Sequence, residues 1–252
     1  MKFILIFLLF SILSISAKNL ESKIYYGDYV DISFAPYQVE IFLDYLPNCG
    51  GSLLSETFVL TAAHCTESDK NPKSYSIGVG TRRILDIVMF NIKVIKIIDH
   101  PEYDKTTVFS DFSLFQMEKV KKFPKSAAFV KLPNKDDVLK TGEIMNIAGF
   151  GRTENGVTIF LKGGSIPIYD QEKCKELFGH LEKTMICAGY EKPMSTGSCF
   201  GDSGSGLVRR SDGKIFGVTS FIFSEKCSTH PAVYSKVTAV LDWINEIVFK
   251  DH

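Results

Sequence analysis

Ser203 stands inside the stretch Gly201-Asp202-Ser203-Gly204-Ser205-Gly206 of a 252-residue chain. A serine hydroxyl is a poor nucleophile at its free pKa and attacks a carbonyl only with a base beside it. It also needs donors for the oxyanion that forms during acyl transfer. Flanking glycines permit a tight backbone that pushes the hydroxyl forward and aims amide N–H groups at one point. Taken alone, the stretch is equally a glycine-rich turn. Two further stretches change its meaning: LTAAHC (60–65), which carries His64, and SDFSLF (110–115), which carries Asp111. Singly, His64 is a structural histidine at a strand end and Asp111 a solvated or capping carboxylate. Together, a serine, an imidazole and a carboxylate are what nucleophilic hydrolysis needs. The imidazole takes the serine proton, and the carboxylate holds its tautomer and stabilises the imidazolium.

The elements that must position these groups are short. From residue 37 onward, runs rich in Val, Ile and Phe recur between Gly, Pro and Asn. They lie at 37–43, 52–63, 75–80, 83–98, 112–117, 143–151, 161–169, 204–210, 214–223 and 232–237. This spacing predicts an all-β sandwich or barrel. Two segments read as helix. DQEKCKELFG (170–179) ends at Gly179, a C-cap residue, and TAVLDWINEIVF (238–249) lines Val240, Leu241, Ile244, Ile247 and Val248 along one stripe, with Thr238 as its cap. The polar stretch 121–136, with Pro124 and Pro133, is the expected crossing between two halves.

Formal net charge is zero, which removes any bulk attraction to nucleic acid or acidic lipid. Residues 1–17, MKFILIFLLFSILSISA, have the positive start, apolar run and small-residue end of a secretory signal peptide. The apolar run is shorter than a spanning helix needs. Export gives meaning to the even set Cys49, Cys65, Cys174, Cys187, Cys199 and Cys227, which predicts disulfides whose pairing the residues alone leave open. Zinc is disfavoured because no C-x-x-C pair occurs and the histidines are scattered. There is no N-x-[ST] glycosylation sequon.

CGGSLLSETFVLTAAHC (49–65), DFSLF (111–115) and GDSGSG (201–206), in the order His, Asp, Ser, resemble the chymotrypsin-type serine proteases. The resemblance spans residues 24–252. It implies two antiparallel six-stranded β-barrels with the site between them and a C-terminal helix. The first barrel would span about 24–125, the second about 135–237 and the helix about 238–249. His64, Asp111 and Ser203 would be catalytic, with the N–H groups of Gly201 and Ser203 as oxyanion hole. The implied disulfides are Cys49–Cys65, Cys174–Cys187 and Cys199–Cys227.

The same resemblance makes residues 18–23 a propeptide, cut after Lys23 by a trypsin-like protease. The new ammonium of Ile24 would pair with Asp202. Tyr25-Tyr26 is bulkier than the family's usual pair at this place, and Gly27 keeps backbone freedom. The substrate pocket would be built by Gly197, Ser198, Phe200, Ser220, Phe221, Ile222 and Ala232. Gly197 stands where trypsin-like enzymes carry an aspartate, so no carboxylate awaits Arg or Lys, and a buried cation there would be costly. Ile222 stands where glycine is usual and narrows the pocket. The implied preference is elastase- or chymotrypsin-like, for aliphatic or apolar P1 residues. Two further departures, Ser205-Gly206 after the nucleophile and Phe221 in place of tryptophan, are expected to matter little. No cofactor or metal is expected. The loop after His64 lacks paired acidic ligands for calcium. Expected partners are protein or peptide substrates, an activating protease and protein inhibitors, on a secreted monomer. The alternative reading is a protease-like binding protein without activity, though such relatives usually lose one of the key residues. An esterase with G-x-S-x-G would need an α/β fold that this chain lacks.

Overall fold

Alternating β-branched and aromatic residues fold this chain mostly into strands, as the computed structural model shows for residues 24–87, 91–179, 181–223, 227 and 229–250. The expected signal peptide, the propeptide 18–23 and Lys23 lie outside the described residues. In chain order the strands begin with β1 (Asp28–Tyr29), β2 (Gln38–Leu43), β3 (Leu46–Leu53), β4 (Phe58–Thr61) and β5 (Tyr75–Val79). They continue with β6 (Asn91–Asp99), β7 (Ser113–Met117), β8 (Ile144–Gly149), β9 (Arg152–Thr153) and β10 (Gly156–Val157). The last are β11 (Lys162–Pro167), β12 (Met185–Ala188), β13 (Gly206–Arg209), β14 (Ile215–Phe221) and β15 (Ala232–Lys236). The α-helices are α1 (Ile84–Ile87), α2 (Gln171–Phe178) and α3 (Leu241–Val248). No described helix is long and apolar enough to cross a membrane.

Strands β2-β3-β4-β7-β6-β5 close into a six-stranded antiparallel barrel. Inward residues such as Val39, Ile41, Leu60, Ile77 and Leu114 are fully buried within it. Closure removes sheet edges and leaves the interior to side chains alone. The other half, expected as a second six-stranded barrel, is a seven-stranded sheet in the order β1-β11-β8-β13-β14-β15-β12, because the N-terminal β1 adds itself to β11. Its β11 and β12 ends meet through a bridge between Ile168 and Ala188, with Tyr169 N donating to Cys187 O at 2.9 Å. Its core gathers Met145, Ile147, Ile166, Leu207, Phe216 and Tyr234.

Several local expectations are corrected here. The division at residue 125 gave the N-terminal segment to the first barrel, yet Asp28 and Tyr29 pair with Gly163 and Lys162 of the second sheet. The run 83–98 is interrupted by α1 before β6 begins, and 52–63 is a hairpin rather than one strand. Asp170 caps α2 by accepting from Glu172 N and Lys173 N, and Gly179 closes it at φ 77°. Thr238 does not cap α3. It sits in a 3₁₀ turn (Val237–Ala239), and Val240 precedes the helix without a side-chain cap. Burial of Leu241 and Ile244 against the first barrel's core holds α3 instead.

Candidate active site

His64 lies in a 3₁₀ turn (Ala63–Thr66) directly after β4. The disulfide Cys49–Cys65 ties that turn to β3. Asp111 precedes β7, in a bend where Ser110 adopts φ 50° and Phe112 N donates to Ser110 O at 2.7 Å. The bend turns the carboxylate onto His64. Nδ1 of His64 is 2.8 Å from Asp111 Oδ2, and the His64 backbone N–H donates to Oδ1 at 2.9 Å. Ser220 Oγ donates to the same Oδ2 at 2.5 Å. Three donors thus hold a carboxylate that is fully buried. Because Nδ1 faces the carboxylate, it carries the proton, and Nε2 is left as the acceptor. Burial opposes the imidazolium most strongly, but the hydrogen bond and charge of Asp111, with Glu67, outweigh it and hold the His64 pKa above the ordinary 6.5.

Ser203 comes from the loop before β13. Its carbonyl accepts from Gly50 N of β3 at 2.7 Å, which docks the loop on the first barrel. Gly204 is required twice over. Its φ is 82°, and a Cβ there would lie 2.1 Å from Thr61 Oγ1 and 2.4 Å from Gly50 O. Only glycine lets the residue after Ser203 touch the strand that leads into the His64 turn. No hydrogen bond joins Ser203 Oγ to His64 Nε2 among the described residues. Around Ser203, Asp202 N donates to Cys199 O, Gly204 N to Thr219 O and Ser205 N to Asp202 O. The N–H groups of Gly201 and Ser203 have no acceptor among the described residues. Gly201 reaches its φ of 90° beside Gly151.

Asp202 points away from the cleft into the second barrel. Oδ1 accepts from Gly151 N at 3.0 Å and Oδ2 from Cys199 N at 2.9 Å. Gly149 and Gly151 make its slot, since a Cβ on either would fall within 2.6 Å of the carboxyl. Burial pushes its pKa up to about 7, against the pull of those two N–H donors. Glu40, on β2, is a second buried carboxyl, held well above the usual carboxylate range by burial and by the charge of Asp202. Ile24 is buried among Met145, Ile147 and Ile166. Tyr25 bridges Gly197, with Gly197 N donating to Tyr25 O at 3.1 Å. The turn after it takes its left-handed residue at Tyr26, φ 54°, and not at Gly27. Gly27 serves close approach, because a Cβ there would meet Gly163 O at 2.7 Å.

A cavity of about 200 Å³ opens beside Ser203. Phe200, Ser220, Phe221 and Ile222 line it, together with Cys199 and Thr219. Gly197, Ser198 and Ala232 are not among its walls. Ser198 Oγ is bonded to Tyr234 OH at 2.9 Å, and Ala232 is buried in β15. Ile222 packs against the apolar cluster that contains Ala232. Most of the cavity's exposed lining is apolar. Phe221 continues outward through Phe178 to Phe223, edge to face at 5.8 and 5.2 Å.

All three cysteine pairs form as the resemblance implied: Cys49–Cys65, Cys174–Cys187 and Cys199–Cys227. Cys49, His64 and Cys65 also lie close enough to suggest a metal centre, but the two sulfurs are bonded to each other and offer no thiolate. Two functional contacts escaped the sequence reading. Ser220 was assigned to the pocket wall alone, and nothing local foretold its bond to Asp111. Gly204 was noted for freedom of backbone and not for contact with Thr61.

Comparison with known proteins gives a consistent result. A family described as Trypsin matches residues 25–244. Trypsin 5G1 of Aedes aegypti is 34% identical over 238 residues, covering 92% of this chain and 87% of that protein. Among solved structures, neuropsin, described as a serine protease expressed in the limbic system of mouse brain, superposes with a TM-score of 0.76 at 29% identity. The match covers 87% of this chain and 97% of that one.

Proposed function

This chain belongs to the trypsin family of serine proteases, and from that premise we propose that it is a secreted endopeptidase, made as a zymogen, that cuts peptide bonds through Ser203, His64 and Asp111. The observation that carries the reading is the contact of Gly204 with Thr61 and Gly50, beside a His64 already fixed by Asp111. Ser203 Oγ attacks the scissile carbonyl while Nε2 of His64 takes its proton. The carbonyl oxygen, now negative, accepts from the free N–H groups of Gly201 and Ser203. His64 then gives the proton to the leaving amine, and water repeats the cycle on the acyl-enzyme. Asp111, buried and triply bonded, steadies the imidazolium throughout.

Cleavage after Lys23 frees the ammonium of Ile24, which pairs with Asp202. A buried carboxyl at a pKa near 7 gains strongly from such a partner. The small, uncharged cavity lined by Ile222 favours small or medium aliphatic residues at P1, then Phe and Tyr, with Arg and Lys poor. The enzyme acts as a monomer on protein substrates, is switched on by a trypsin-like protease and is checked by protein inhibitors that fill the same cleft.

The test is to convert purified protein with trypsin, label it with a fluorophosphonate and profile it on a peptide library varied at P1. Labelling of Ser203 only after the cut, with cleavage after aliphatic residues, is the expected result. Ile222→Gly is expected to move preference toward Phe and Tyr, by roughly 1–3 kcal/mol per methylene accommodated. No labelling of the cut protein would instead favour a protease-like binding protein, and dominant cleavage after Arg or Lys would overturn the pocket assignment.

A further inference from the structure

Ile24-Tyr25-Tyr26-Gly27 folds into one tight turn, closed by Gly27 N donating to Ile24 O at 2.6 Å. Its third residue, Tyr26, is left-handed at φ 54°. Such a position favours glycine or asparagine, because a Cβ crowds the neighbouring carbonyl. Tyrosine there is strained, and a strained residue persists only where its neighbours over-determine it. Gly27 cannot take the role over, since it is committed to its close approach to Gly163. Something outside the turn must therefore hold Tyr26.

Two side chains do so, from two different segments. Glu154 Oε2 accepts from Tyr26 N at 3.3 Å, and Thr196 Oγ1 donates to Tyr26 O at 2.8 Å. One grips the N–H and the other the carbonyl of the same residue. Glu154 lies between β9 and β10, where Asn155 Nδ2 donates to its other oxygen at 3.2 Å. Thr196 rests its methyl on Gly164 of β11, so close that a Cβ there would lie 2.4 Å from it. Beside it, Gly197 N holds the carbonyl of Tyr25. Both gripping segments also belong to the frame of the nucleophile. At the start of the hairpin, Gly151 N donates to Asp202 Oδ1 at 3.0 Å and Arg152 N to Phe200 O at 2.6 Å. The segment from Thr196 runs on through Cys199 to Gly201 and Ser203. Turn, hairpin and nucleophile loop are thus each bonded to the other two.

We propose that Glu154 and Thr196 are positioning residues for the new N-terminus: they hold Tyr26 in its left-handed turn and so set how completely a cut after Lys23 becomes a working site. This rests on the zymogen reading, in which the ammonium of Ile24 pairs with Asp202. Ile24 lies two residues before Tyr26, so a turn that opens carries the ammonium away from the carboxyl. A glycine at position 26 would seat the turn unaided. Tyrosine makes the seating conditional on the two grips, and activation of this chain depends on them as well as on the ion pair.

The experiment uses the protein cut after Lys23, with Glu154→Ala and Thr196→Val combined. Valine keeps the methyl packing on Gly164 and removes only the donor. The first readout is the rate at which cyanate carbamylates the Ile24 amine, followed by mass spectrometry of the N-terminal peptide. The parent amine is expected to be protected and the double variant to react at least about tenfold faster, as the seated fraction falls. Substrate and seated N-terminus favour the same ordered state, so KM is expected to rise by a similar factor while kcat changes little. Tyr26→Gly added to the double variant is expected to restore both readouts, because glycine adopts the turn without help. Glu154→Gln and Thr196→Ser, which keep an acceptor and a donor, are expected to behave as the parent. Melting temperatures of the same set form a cycle between Tyr26→Gly and the two grips, and a coupling is expected. Unchanged protection and KM in the double variant overturn the proposal. So does a loss that Tyr26→Gly fails to restore, since the grips would then act on something other than the turn. A parent amine that reacts freely rejects the pairing with Asp202 instead. The melting cycle then decides the clamp by itself: coupling keeps it and additivity overturns it.

Discussion

The two barrels do unlike work with similar strands. The first is closed, its interior almost wholly apolar, and it holds His64 and Asp111 through local bends and the Cys49–Cys65 bridge. The second is a seven-stranded sheet in which the residue after β11 bridges to the edge strand β12. It takes in the N-terminal strand β1, seats Ile24 in its core and buries the carboxyl of Asp202. On the proposed reading the base sits on a finished scaffold, while the nucleophile sits on one that a chain cut completes. In the proposed zymogen, that asymmetry separates chemistry from its control.

The largest effect that would break the contrast spans the cleft. In cut protein, Ser203→Ala and His64→Ala are each expected to lower kcat by about 10⁴- to 10⁶-fold, with the double variant little worse, because the groups act as a unit. Losses that simply multiplied would mean the barrels do not share one reaction.

Next comes the control itself. Asp202→Asn is expected to remove most of the gain on cleavage, about 10²- to 10⁴-fold, matching the ~3–5 kcal/mol for breaking a buried pair. The same variant has a signature in uncut protein. A carboxyl with a folded pKa near 7 against an ordinary 3.8 adds stability below about pH 4 and loses it as pH rises through 7. The melting temperature of the parent relative to Asp202→Asn is therefore expected to fall from pH 4 to pH 8. A pH-independent difference would contradict the buried, unpaired carboxyl.

A smaller effect tests the finished scaffold. Leu60→Ala, at a fully buried position of β4, is expected to cost ~2–5 kcal/mol in cut and uncut protein alike. Denaturant melts that found this cost in one form only would show that the first barrel, too, responds to the cut. The smallest effect concerns the base. With its pKa raised, His64 is neutral and competent only above the ordinary imidazole range, so the acid limb of kcat/KM lies above pH 6.5. Glu67→Gln is expected to move that limb down, read from the pH profile. No movement would assign the shift to Asp111 alone.

Much of this was legible in the chain because the signals were local. The runs 112–117 and 143–151 became β7 and β8, and Asp170 to Gly179 carry the marks of a capped helix. What stayed hidden depended on partners far along the chain. The run 185–188 is too short and too plain to announce β12, which exists because β15 pairs with it. Asp28 and Tyr29 carry no mark of the sheet they join. Ser220 is an ordinary serine until folding sets it beside Asp111, 109 residues away. Thr238 fits the pattern of a cap, but docking of Leu241 and Ile244 decided where α3 begins.

The seam where Gln38 Nε2 donates to Ser205 Oγ at 2.9 Å joins residues 167 positions apart. Beside it, Gly50 N holds the Ser203 carbonyl. Contacts of such sequence separation close the longest loops and reward their entropy late, so they slow folding and come after local hairpins. A nascent chain would therefore build most of both barrels before it owned a working nucleophile. In refolding, peptidase activity should appear after the bulk of the β-structure. In gentle denaturation it should vanish first, which makes turnover the most sensitive gauge of whether the barrels are in register.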